Sequence, residues 1–192
     1  VHFKLGEIAK SIEDFDAYLK MRPEEEPKHW MRGISYYYAG RYEEGAKQFE
    51  GYQSVDDNDV ENAVWRFLCM ARGQGVDEAR ASILKIGLDR RIPMMKIYDL
   101  FRGEATAEEV LAEARAGDPS EVELKHRLFY AHLYIGLYHE ATNDSTQARQ
   151  HIVMAADKYP IGHYMWHVAR VHKDRLDQAA REKVKSTERV DC

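Results

Sequence analysis

The sequence predicts an all-α fold: an α-solenoid of antiparallel helix pairs closed by a polar C-terminal helix. Three observations predict it. One pattern of bulky and small residues returns at an offset of 34 positions, a glycine separates the helices of each pair, and the apolar pattern fades after Pro160. Units of this length stack as helix pairs, each burying its apolar face on the next.

The segment GEIAKSIEDFDAYLKMRP, from Gly6, aligns with GRYEEGAKQFEGYQSVDD, from Gly40. Ile8 falls on Tyr42, Ser11 on Gly45, Phe15 on Phe49 and Tyr18 on Tyr52; a second offset of 34 reaches Val76, Ala79, Ile83 and Ile86. Spacings of three, four and three residues describe one face of a helix. Upstream of each pattern runs a partner helix, WMRGISYYYAG from Trp30 and AVWRFLCMARGQG from Ala63. Glycine ends each partner helix by taking the left-handed turn. The small residues Ser11, Gly45 and Ala79 let the two backbones approach.

Units therefore fall at about 1–23, 24–57 and 58–92, with a degenerate fourth over 93–126 and a fifth over 127–160. In the fourth, a short helix ends at Gly103, and Thr106 opens another with Glu109 completing a capping box. A capping helix is expected over 161–185, with a tail over 186–192. A polar last helix shields the apolar end of such a stack from water. About ten or eleven helices are expected in all.

Residues 1–5 read as the stub of a first helix, since Gly6 sits at a turn between two. Val1 is not methionine, so the expectation is a removed targeting segment or a start inside a longer protein. The two cysteines, Cys69 and Cys192, are too few for a disulfide framework; Cys69 reads as a small core hydrophobe and Cys192 as a free thiol. A net charge of -5 gives no general attraction for nucleic acid or anionic lipid. No apolar run reaches the 18 or so residues that a membrane-spanning helix needs.

These features resemble the tetratricopeptide repeat, whose period is 34. The best single match is LYIGLYHEATNDSTQARQHIVMAADKYP, with Gly136, Ala148, Ala155 and the closing Pro160 in place; Pro23 closes the first unit likewise. The longer run EDFDAYLKMRPEEEPKHWMRGISYYYAGRYEEGAKQFE, with VWRFLCMARGQGVDEAR and YIGLYHEA, is similar to plastid tetratricopeptide-like proteins of plants and algae. More loosely, it resembles a bacterial envelope lipoprotein with such repeats that works as an adaptor. The resemblance implies a scaffold, adaptor or assembly factor of a protein complex in the chloroplast, associated with a membrane complex without inserting. The cytoplasm stays open as the alternative compartment.

In that family, positions on the first helix of each unit line a groove. Here they fall on Trp30, Ile34, Tyr37 and Tyr38, on Val64, Leu68, Ala71 and Arg72, and on Tyr130, Leu133, Leu137 and Glu140. Members that clamp a peptide carboxylate carry lysine and asparagine there; apolar groups here suit a partner's amphipathic helix instead. Trp30 and Tyr37 are the expected anchors, and Arg72 and Glu140 the expected register-setting charges. Internal packing of a short, tightly wound solenoid accounts for the same residues equally well.

Motifs for other chemistry are weak. His163 and His167 stand four apart on the expected last helix, but HYMWH lacks the glutamate of a zinc-protease helix, and two ligands are too few. His132 and His139 share a face suited to packing. Gly73-Gln74-Gly75 follows a helix rather than a strand, so it fails the context of a dinucleotide loop. Glu24-Glu25-Glu26 and Asp56-Asp57-Asn58-Asp59 are acidic runs without calcium-loop spacing. No cofactor and no catalysis are expected. A permanent structural subunit of a membrane-associated complex is the alternative to an adaptor, and a metal-binding enzyme the alternative from another class.

Overall fold

The computed structural model describes residues 1–190, with side chains described through residue 182; Cys192 lies outside the described residues. Ten α-helices run in sequence: α1 (Ile8–Met21), α2 (Trp30–Tyr38), α3 (Tyr42–Tyr52), α4 (Val60–Gln74), α5 (Val76–Ala81), α6 (Met94–Arg102), α7 (Ala107–Arg115), α8 (Glu121–Ala141), α9 (Ser145–Val153) and α10 (Tyr164–Val190). Short 3-10 turns cover His2–Leu5 and Pro23–Lys28, and a π turn covers Met154–Lys158. There is no strand among the described residues, and none of their helices is long and apolar enough to cross a membrane.

The core is organised around α4 and α8. Helix α4 is buried without a break from Asn62 to Cys69, and α8 from Leu128 to Leu137 except at Tyr130. Helices apolar on every side are surrounded by others. Around α4 pack α2, α3, α5, α6 and α8; around α8 pack α6, α7, α9 and the π turn. The first and last elements also meet, because α10 lies on α9, on the π turn and on the His2–Leu5 turn. There Phe3 sits between the rings of Tyr38, at 5.5 Å, and Tyr164, at 5.4 Å.

Several boundaries differ from the sequence expectation. In the third unit the second helix stops at Ala81, so Ile83 and Ile86 are not on a helix. Residues beyond it are held by neighbours' side chains: Arg66 donates to Ser82 O, Tyr98 to Leu84 O, Gln53 to Lys85 O, and Asn58 Oδ1 accepts from Leu88 N–H. Backbone groups so satisfied have no need of the helix ladder. In α1 the buried stripe is Ser11, Ile12 and Leu19, while Tyr18 is 42% exposed against the edge of His29.

Further along, the expected boundary at 126/127 falls inside α8. That helix starts at Glu121 behind a Ser120–Glu123 capping box, the same signature read correctly at Thr106–Glu109. The last helix begins at Tyr164 rather than Ile161 and continues through the expected tail to Val190.

Candidate functional site

Seven of the expected groove residues lie in the core. Ile34, Leu68 and Leu137 are fully buried, and Tyr37 and Tyr38 are 6% and 3% exposed. Val64 and Leu133 are also buried, and Ala71 and Tyr130 are partly so. As free contact groups these residues are a correction to the sequence reading. Their repeat phase put them on the inner helices α2, α4 and α8, but gave no sign that these helices cover one another and receive α10.

Four of the expected residues, Tyr37, Tyr38, Arg72 and Glu140, line one cleft of about 430 Å³ between α2, α4, α8 and α10. Of these, α10 brings His172 and Arg175. Tyr38 Oη and His172 Nδ1 are 2.9 Å apart and buried. His172 Nε2 lies 3.4 Å from Glu140 without a well-aligned hydrogen bond, and Tyr37 donates to Glu140 at 3.4 Å. Arg72 stands 4.0 Å from the other carboxylate oxygen, and Arg175 lies over the Tyr38 ring at 5.2 Å. Burial raises both tyrosine hydroxyls well above their usual range and lowers His172, against the opposing pull of Glu140. Around neutral pH Tyr37, Tyr38 and His172 are therefore uncharged. Such a cleft holds rings and directs hydrogen bonds.

Trp30 is half-buried at the start of α2 and touches α10 from the other side. Its ring stacks on His163 at 6.4 Å and meets Tyr164 edge-on at 5.3 Å. His163 precedes the first turn of α10, and its Nδ1 accepts from Met165 N–H at 3.3 Å. It does not share a helical face with His167, whose ring lies against Trp166. Among the described residues, no three His, Cys, Asp or Glu side chains are grouped to hold a metal ion.

His132 and His151 face each other across α8 and α9, Nδ1 to Nδ1 at 3.0 Å, with His139 stacked on His151. Cys69 is buried against Gly45, and burial raises its thiol far above the reactive range.

His172 and Arg175 were not placed at this cleft from sequence. Their signal was present: Met165, Val168, Ala169, His172 and Leu176 recur at three and four residues along α10, an apolar stripe inside a segment otherwise read as polar. No protein-family model matches this chain.

Proposed function

We propose that this chain is a non-catalytic protein-binding scaffold, a tetratricopeptide-type solenoid whose inner face takes an amphipathic helix. One observation carries the proposal: the face built by the His2–Leu5 turn, α2 and α8 already receives an amphipathic helix of its own, α10, through Phe3, Trp30, Tyr38 and Glu140. A surface with these rings and this central carboxylate is matched to an apolar stripe with one imidazole and one guanidinium. A partner helix would continue this face at the cleft mouth, where Arg72 is exposed and Glu140 half-buried. An organellar compartment, and attachment to a membrane complex, belong to the proposal through the plastid resemblance alone.

The burial of Tyr37 decides how to test it. Removing that ring opens a hole between Trp65, 5.4 Å away, and Tyr42, so a Trp30→Ala/Tyr37→Ala variant unfolds the site before it reports on binding. Arg72→Glu is the cleaner probe, because the side chain is exposed. Parent and variant, matched for helicity and melting, are each used as bait in native extract. The partner retained by the parent should bind Arg72→Glu at least tenfold more weakly; equal retention places the contact away from this cleft.

A further inference from the structure

The cleft between α2, α4, α8 and α10 is unevenly charged. Two guanidiniums line it, Arg72 from α4 and Arg175 from α10, against one carboxylate, Glu140. That carboxylate is already engaged. Tyr37 donates to it at 3.4 Å, His172 Nε2 lies 3.4 Å away, and Arg72 stands at 4.0 Å. Arg175 has no such partner. Among the described residues no carboxylate lies within 4.0 Å of its guanidinium, which rests on the Tyr38 ring instead. A guanidinium stacked on a ring keeps the N–H donors of its edge free for a carboxylate.

Neighbouring acids do not make up the difference. Asp174 does not line the cleft, Asp157 is bonded to Lys173, and Glu44 is bonded to Arg41. One carboxylate against two guanidiniums leaves a formal excess of one positive charge in the lining.

Beside these charges the walls are apolar. Leu176 and Ala179 come from α10 and Tyr42 from α3. Leu176 and Tyr42 are half-buried and Ala179 is exposed. A helix is about 10–12 Å across with its side chains, so a cleft of about 430 Å³ admits side chains of a partner that lies over its mouth. Helix α10 has already brought its own imidazole to Glu140. A second helix with basic groups like those of α10 would meet two guanidiniums and a carboxylate in use, a mismatch that selects against it.

We propose, building on the scaffold function above, that the helix taken by this cleft is acidic. It carries an aspartate or glutamate within its apolar stripe. That carboxylate binds Arg175 and Arg72, while its apolar neighbours cover Tyr42, Leu176 and Ala179. The carboxylate belongs to a side chain within the helix, not to the end of a chain.

The test is a display library of amphipathic helical peptides, randomised along the apolar face and fused to its carrier through the C-terminus, panned on the full chain. Sequences enriched by the parent should share one acidic position. On Arg175→Glu, which reverses the charge of an exposed side chain, the same library should lose that acid and take lysine or arginine in its place. The strongest peptide from the parent is then made synthetically and followed by fluorescence anisotropy. Replacing its acid by the corresponding amide should weaken binding at least tenfold, and Arg175→Gln should reduce that difference to about twofold or less. Enrichment without an acidic position, or the same acidic position on Arg175→Glu, overturns the acidic partner and leaves the scaffold function standing. No enrichment by the parent means that the cleft takes no helix, and both fail.

Discussion

The hairpins α2–α3 and α8–α9 lie 103 positions apart and turn identically, whereas α4–α5 between them does not. In the first two, the turn residue is left-handed, Gly40 at φ 75 and Asn143 at φ 65. The next N–H reaches back to the same carbonyl, Arg41 to Tyr36 and Asp144 to His139. Each first helix carries a glycine under the second. A Cβ on Gly33 would come within 2.7 Å of the Phe49 ring, and one on Gly136 within 2.8 Å of the Ile152 side chain. In α4 the position one period after Gly33 is Phe67, whose ring packs edge-on against Phe101 at 5.1 Å. There the second helix ends at Ala81, two residues short of Ile83, the counterpart of Phe49. A periodic apolar stripe is thus not enough for a full hairpin. The partner helix must also leave room for it.

Adding bulk to a regular hairpin should break this comparison most severely. Gly136→Leu drives a side chain into Ile152, whose backbone nitrogen is itself only 3.1 Å from the added Cβ. A loss of about 3 kcal/mol is expected, or roughly 6–12 °C in Tm for a chain of this size. Ala148→Leu, fully buried at the place Gly45 holds in α3, should cost about 1–3 kcal/mol. An unchanged melting curve in both would show that close approach is not what the hairpin requires.

Acid should weaken the α8–α9 hairpin, which carries the buried His132–His151 contact. Burial, with the neighbouring His151, lowers His132 to about 4, against about 6.5 in an unfolded chain. Between those values the unfolded state binds more protons. The stability owed to neutral His132 is therefore complete above about pH 6.5 and declines as pH falls towards 4. At about pH 5 the loss should be about 2 kcal/mol, read from urea unfolding, and it should shrink in His132→Gln.

The two turns should separate by less. Gly40→Ala forces a left-handed alanine and should cost about 1 kcal/mol, while Asn143→Gly should stay within a few tenths. Smallest is the exposed cap of α7: Glu109→Ala removes half of its capping box and should cost about 0.5 kcal/mol.

Local chemistry made much of the fold legible. Gly40 and Gly103 ended helices where glycine was read as an ending, and Thr106 with Glu109 marked a helix start. Where the reading failed, the deciding partner was distant in sequence. The loss of helix after Ala81 depends on the side chains of Gln53, Asn58, Arg66 and Tyr98, which stand 14 to 32 positions from the backbone groups they hold. The same holds for the cleft: Tyr37, Tyr38, Arg72 and Glu140 were found by phase, but His172 and Arg175 meet them only through the placement of α10.

The meeting of Phe3 with Tyr164 has a consequence in time. A stack of independent repeats folds as it leaves the ribosome, each unit needing only the one before. Here the earliest turn waits for a ring about 160 residues behind it, and at ~5–20 residues per second that is a delay of roughly 10–30 s. Until Tyr164 emerges, Phe3 and Tyr38 have no lid, and the nascent chain carries an open aromatic surface.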